Sequence, residues 1–331
     1  MSLVSMKEVA AAAGVSQATV SFVINGRYKR DIKLSDEVVS RVLRCAEDLG
    51  YIRDELASSM VSGRSQVVAL LATFMDFLMP TILGYCDAAA EHGYSVRLVS
   101  LGQDINKTLK SVIGFRIAGI TAIELEEETK NQIHPDFFKY QIPQDGLQGD
   151  TGHMSFDQKG AAELAVRHLI EYGHRKIIFV VEFPHPIQQM RLDGYRNVSR
   201  EHGLQPRDLV YQGDSCQLLD ELLEAKPDAV FCSVDHTAMQ LLQEMYRRKL
   251  TVPETFSLAG FGNIPGSELC SPALTTVAEP YYQTGIRAFE NIYSKIHTGH
   301  GLPDNLKPLP GTLIVRESTA PNKQNQGRVK Q

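Results

Sequence analysis

The chain has 331 residues, 43% of them apolar, with a formal net charge of −5. That length is too great for one ordinary domain and suits two or three with real cores. No run of about eighteen apolar residues occurs, so no membrane span is expected, and the net charge argues against indiscriminate nucleic-acid binding by the whole molecule. Cys45, Cys86, Cys216, Cys232 and Cys270 are scattered without CxxC or paired-histidine spacing, so they read as reduced thiols and not as a disulfide frame or zinc site. The N-terminus lacks a basic segment followed by an apolar stretch, so no secretion signal is expected and a cytoplasmic location is.

In chain order, Ser5-Met6-Lys7-Glu8 has the spacing of a capping box and starts a first helix with Val9, Ala10 and Ala13 on one side. Gly14 ends that helix and Ser16 caps a second, in which Val20, Val23 and Ile24 point inward while Gln17, Ala18, Ser21 and Phe22 fall on other faces. A third helix runs from about Asp36, capped by Ser35, through Val39, Val42, Leu43, Ala46 and Leu49, and Gly50 ends it. Three short helices with a free N-terminal face on the second make the helix-turn-helix plan. The plainer alternative is a three-helix bundle used for packing. Residues 1–66 carry nine basic and eight acidic side chains, so the remainder of the chain holds −6. This is a weak electrostatic footprint for a DNA-binding head, although Arg27, Lys29, Arg30 and Lys33 cluster after the second helix, as a solvated loop or a phosphate clamp.

From Val67 the pattern changes. Val67-Val68-Ala69-Leu70-Leu71-Ala72 is a continuous apolar run, as in a buried parallel strand. Helices expected near 82–92, 161–172, 191–202 and 237–249 alternate with strands near 94–100, 176–181, 229–232 and 257–260, which means βαβ units and parallel sheet. A shared helix ending, Glu91-His92-Gly93 and Glu201-His202-Gly203, fits two similar α/β halves. The run Gly260-Phe261-Gly262-Asn263-Ile264-Pro265-Gly266 lacks the GxGxxG spacing, and Pro265 falls where a helix should begin, so no dinucleotide or other cofactor is expected. With no nucleophile, acid/base pair or metal motif in view, an enzyme is the poorer hypothesis.

The residues Lys7-Glu8-Val9-Ala10, Ala13-Gly14-Val15-Ser16, Thr19-Val20-Ser21, Val23, Asn25 and Leu49-Gly50-Tyr51-Ile52 resemble the lactose and galactose repressor (LacI) family. The likeness continues to about residue 320 through Gly173-His174-Arg175-Lys176-Ile177, Arg191-Leu192, Gly194-Tyr195, Leu274-Thr275-Thr276-Val277 and Leu313-Ile314-Val315-Arg316-Glu317-Ser318-Thr319. It implies an all-α helix-turn-helix head at 1–53 and a hinge helix or linker at 54–65. An effector-binding and dimerisation domain at 66–320 would follow, with a periplasmic-binding-protein-like core of two doubly wound parallel-sheet subdomains. The first subdomain takes about 66–172 plus 280–307, the second about 173–279 plus 308–320, and 321–331 form a disordered tail.

In such a family Gln17, Ala18 and Phe22 read base edges: Gln17 through paired hydrogen bonds to adenine, Ala18 on a thymine methyl. Phe22 departs from the usual Arg, so the guanine preference at that base pair is expected to be lost, whether Phe22 meets a thymine methyl or packs inward. Ser16, Thr19, Ser21 and Asn25 are expected to hold phosphates or cap helices, and Arg27, Lys29 and Arg30 to meet the DNA backbone. The segment 54–61 matches the hinge helix, with Ala57 and the wedge position Met60 set for the minor groove, but Asp54 and Glu55 would repel phosphates.

For the ligand site, the resemblance assigns Arg191 to grip the effector, a surface ion pair being the plainer alternative. Asp76 and Phe77 fall on the loop after the first strand, and Asp157 and Glu279 at other cleft or hinge positions. Asp235 is either a site residue or only the cap of a helix starting at Thr237. Val234 and Gly262 stand where many sugar-binding members have Asn and Asp, which suggests an effector less polar, smaller or bound differently from a plain hexose. The resemblance thus implies a homodimeric repressor that binds a palindromic operator in double-stranded DNA and is controlled by a carbohydrate-like small molecule. The alternatives are a nucleobase-type corepressor system, a free-standing solute-binding protein, or a sugar- or nucleoside-processing enzyme.

Overall fold

The computed structural model describes residues 4–26, 28, 34–52, 65–72, 76–100, 104–114, 117–123, 132, 156–182, 185–303 and 306–322. The chain divides into two units, Met1–Gln66 and Val67–Gln331.

In the first unit α1 (Met6–Ala13) opens on the expected capping box: the Ser5 hydroxyl accepts from the Glu8 N–H at 3.4 Å, and the Glu8 carboxylate accepts from the Ser5 N–H at 2.7 Å. Gly14, at φ 65°, closes that helix. α2 (Gln17–Ile24) is capped by Ser16 and α3 (Asp36–Asp48) by Ser35. Val9, Ala13, Val20, Val23, Val39, Val42 and Ala46 form the buried core of these three helices. Of the apolar residues along the third helix, Leu43 and the following Leu49 are 47% and 40% exposed. On a helix as short as α3 a single stripe of Val39, Val42 and Ala46 suffices to cover the small residues of α1 and α2. Arg41 ties the helices together, its Nε donating to the Ala13 carbonyl at 3.0 Å. The hinge segment, with Ala57 and Met60, and the basic residues Arg27, Lys29, Arg30 and Lys33 lie outside the described residues.

The second unit holds two sheets. The first is three-stranded and parallel, in the order β2-β1-β3, from β1 (Val67–Ala72), β2 (Ser95–Ser100) and β3 (Gly119–Ile123). The apolar run of β1 is buried on both faces, as its lack of alternation requires. Val68, Leu70 and Ala72 pack beneath α4 (Met79–Glu91) and α10 (Tyr281–Thr298), while Ala69 and Leu71 pack beneath α5 (Ile105–Ile113).

The second sheet is six-stranded, in the order β5-β4-β6-β7-β8-β9, with β4 (Ile177–Val181), β5 (Arg207–Val210), β6 (Ala229–Cys232), β7 (Ser257–Gly262), β8 (Thr275–Ala278) and β9 (Thr312–Ile314). All its pairings are parallel except β8–β9. Ile177 and Phe179 face a core shared with α6 (Gln158–Glu171) and α7 (Pro186–Glu201). Ile178 and Val180 face the opposite core, beneath α8 (Ser215–Ala225) and α9 (Asp235–Arg247). The matching orders β2-β1-β3 and β5-β4-β6 agree with two similar halves.

One boundary moves. α6, which the resemblance puts at the end of the first half, packs with the second: its Ala161, Ala162, Ala165, Val166 and Leu169 share one buried cluster with β4, α7 and β6. Asn322, which the resemblance puts in a disordered tail, is instead tied to the fold: its N–H donates to the Tyr172 carbonyl at 2.7 Å and its side-chain amide to Asp228 at 3.2 Å. Among the described residues no helix is long and apolar enough to cross a membrane.

Candidate functional site

In the first unit, the turn at Gly14 and the Ser16 cap present the amino end of α2 outward. Ser16, Gln17 and Ala18 are exposed, and Thr19, Ser21, Phe22 and Asn25 are half-buried. Two of the expected phosphate-holding groups are committed to the helix itself. The Ser16 hydroxyl accepts from the Thr19 N–H at 3.1 Å and lies 2.9 Å from the Thr19 hydroxyl. At the other end the Asn25 amide donates to the Ser21 carbonyl at 2.8 Å and to its hydroxyl at 3.1 Å. These bonds leave Gln17 and Ala18 on a fixed, capped helix end. Phe22 lies outside the buried cluster of Val9, Val20, Val23 and Val42, so its ring is not an anchor of that core.

In the second unit, the carboxyl ends of β4, β6, β7 and β8 bring a polar cluster around Arg191, as expected for an open parallel sheet. Arg191 projects from α7 and is only 5% exposed. Its Nε donates to the Gln158 side-chain carbonyl at 2.7 Å, its Nη1 to the Ser233 backbone carbonyl at 2.7 Å, and its Nη2 to the Glu279 carboxylate at 2.8 Å. The guanidinium carbon lies 3.8 Å above the centre of the Phe261 ring. The pairing is therefore internal and bears no likeness to a surface ion pair.

Glu279, just past β8, is held in turn. The Tyr281 phenol donates to its Oε1 at 3.2 Å and the Gln158 amide to its Oε2 at 3.3 Å. Burial and the facing Glu279 carboxylate hold the Tyr281 phenol far above the usual tyrosine range. Its ring lies 5.9 Å from that of Phe77, which sits on a short 3-10 turn, Asp76–Leu78, after β1. Glu279 thus meets Arg191 directly, and Phe77 touches the cluster through Tyr281. Ser233 adds a second link, its hydroxyl donating to Gln188 at 2.7 Å while Gln188 accepts from the Glu182 N–H at 3.0 Å.

Two expected site residues are placed otherwise. Asp157 is exposed and caps α6, its carboxylate accepting from the Gly160 N–H at 2.8 Å; the neighbouring Gln158 is the side chain that reaches Arg191. Asp235 does not cap a helix from Thr237, and its carboxylate lies close enough to the cluster for its charge to act on the Tyr281 phenol. It is the first residue of α9, fully buried, and accepts from the Thr276 hydroxyl at 2.6 Å and the Ile264 N–H at 2.9 Å. Burial pushes its carboxyl up to about 6, against the pull of those two donors. Gly262 beside it has φ 125°, a conformation that side chains rarely adopt, and a Cβ there would lie 3.2 Å from Ile264 Cγ2, so any larger residue at this position would be strained. Of Asp76, only its place in the turn is described.

The sequence reading missed Gln158, Gln188, Ser233 and Tyr281. Gln158 and Tyr281 stand within two positions of residues it named, and nothing in their types marks them as polar partners of a buried arginine.

A helix-turn-helix unit joined to a two-sheet parallel α/β unit with a buried polar cluster at its strand ends defines a class: DNA-binding regulators with a periplasmic-binding-protein-like domain. Residues 5–54 match the bacterial regulatory proteins of the lacI family and residues 166–319 a periplasmic binding protein-like domain. Catabolite control protein A of Priestia megaterium is 28% identical, over 96% of this chain and 99% of that protein. The HTH-type transcriptional repressor CytR of Escherichia coli K12 is 28% identical, over 95% of this chain and 96% of that protein. Among solved structures, the Lac repressor bound to ONPG in its repressed state aligns with a TM-score of 0.72 at 19% identity, over 96% of this chain and 100% of that one. The chain thus carries the DNA-binding domain of the lacI family of bacterial regulatory proteins together with a periplasmic binding protein-like domain, and its relatives over nearly its whole length are repressors of that family.

Proposed function

We propose that the chain is a dimeric transcriptional repressor which binds a palindromic operator through α2 and is controlled by a small molecule at the Arg191 cluster. The observation carrying this reading is the capped, outward amino end of α2, with Gln17 and Ala18 exposed on it, in the same chain as a sheet that gathers polar groups at its strand ends. In this reading Gln17, Ala18 and Phe22 meet base edges, Ser16 and Asn25 hold the two ends of the helix, Thr19 and Ser21 lie toward the DNA backbone, and Arg27, Lys29, Arg30, Ala57 and Met60 add phosphate and minor-groove contacts. Arg191, Glu279, Gln158, Phe77 and Tyr281 form the effector site, while Asp157 and Asp235 support the helices that carry it. Two half-sites related by protein symmetry call for a dimer. The effector regulates by binding the conformations of the second unit unequally.

Selection of tight-binding duplexes from a randomised pool tests this reading. Enrichment of a palindrome, with thymine and not guanine at the position facing Phe22, is expected; a pool that remains random after successive rounds contradicts it.

A further inference from the structure

Among the described residues Arg191, Glu279, Glu182 and Asp235 set the charge around the proposed effector site, and their sum is not what a lone arginine suggests. Arg191 contributes one positive charge, which the Glu279 carboxylate meets at 2.8 Å with side chains only 7% and 13% exposed. Glu182, at the end of β4, is 23% exposed and adds a negative charge, approached at 3.7 Å by the well-exposed His236. Three of the five guanidinium N–H groups are already taken, and both carboxylate oxygens of Glu279 accept hydrogen bonds. The aromatic side of the cluster is formed by Phe77 and Tyr281.

We propose that Glu279 fixes the charge class of the effector: by closing an ion pair on Arg191, it makes the site accept an uncharged, hydroxyl-bearing ring and refuse sugar acids and sugar phosphates. This inference rests on reading the Arg191 cluster as the effector site. A free arginine would favour carboxylates and phosphates, which it holds through parallel charge-assisted bonds. Here an incoming anion meets a guanidinium already neutralised by the Glu279 carboxylate against it, and like charges brought together without water between them are strongly unfavourable. A hydroxyl meets no such repulsion. It can accept from a remaining guanidinium N–H and donate to a free lone pair of Glu279, while the C–H face of a neutral ring suits an aromatic wall.

The test uses the full chain and matched probes: D-glucose with D-gluconate and D-glucose 6-phosphate, D-ribose with D-ribose 5-phosphate, and inorganic phosphate, read by thermal shift and calorimetric titration. The wild type is expected to gain no stability from any anion at millimolar concentration. Glu279→Gln, which keeps the shape and an acceptor for Arg191, is expected to bind at least one of the anionic probes about tenfold or more tighter than the wild type. Adding Arg191→Met to that variant should abolish the gain. Urea unfolding confirms that each variant is folded. Wild-type binding of an anion that Arg191→Met removes would overturn the proposal, as would a folded Glu279→Gln that gains no anion binding. Failure of the effector reading looks different: no neutral probe would alter duplex binding by the wild type, whatever Glu279→Gln does with anions.

Discussion

Arg191 is 5% exposed, and its guanidinium is satisfied by Gln158, Ser233 and Glu279. Removing one member of such a pair leaves the other charge buried, at a cost of about 3–5 kcal/mol. Arg191→Met is therefore expected to lower stability to urea by that amount, and adding Glu279→Gln to restore about 1–3 kcal/mol of it through the coupling between the two sites. Additive losses would mean that the two side chains do not act as a pair. Asp235 offers a pH signature. Its carboxyl stands at about 6 in the folded chain against an ordinary 3.8, because burial disfavours the charge. The folded chain thus holds this proton more tightly than the unfolded one. The resulting stability is fully present below about pH 3.8 and is lost as pH rises through 6, on the order of 3 kcal/mol in all. Asp235→Asn removes this dependence, so the stability difference between wild type and variant is expected to shrink from pH 4 to pH 6 and stay level above it; a constant difference contradicts the assignment. Arg191 was legible through family likeness, whereas the roles of Asp157 and Gln158 were not. One caps α6 and the other reaches the guanidinium, and only the direction in which α6 meets β8 and α7 decides between them.

At the scale of elements, spacing in the sequence places the starts of the first three helices, because capping is local: Ser5, Ser16 and Ser35 all cap as their positions suggest. By contrast, α4, α6, α7 and α9 begin earlier than expected, at Met79, Gln158, Pro186 and Asp235. Partners are another matter. The apolar stripe of α6 says that one face is buried but not beneath which sheet, and the segment between β3 and Phe156 carries no local signal that would tell. α10 shows the same limit in a tighter form. It packs on α4 so closely that a Cβ at Gly285 would fall 1.9 Å from the Thr81 backbone oxygen. Gly285→Ala is expected to force the two helices apart and cost about 1–3 kcal/mol or more in urea unfolding. An unchanged midpoint would show that the helices are not in this contact in solution.

At the scale of the whole molecule, the proposed function puts a base-reading helix and a ligand-binding sheet in one chain. Composition alone pointed elsewhere, since a head with nine basic and eight acidic side chains has little net charge for DNA. Sequence-selective contacts from α2 must then carry more of the discrimination than bulk charge does. The most direct test is equilibrium binding of the full chain to the enriched palindromic duplex and to a scrambled duplex of equal length, across a salt titration. A preference of about a thousandfold or more for the palindrome is expected, with both affinities falling as salt rises. Equal affinity for the two duplexes, or no binding at any salt, would contradict the account.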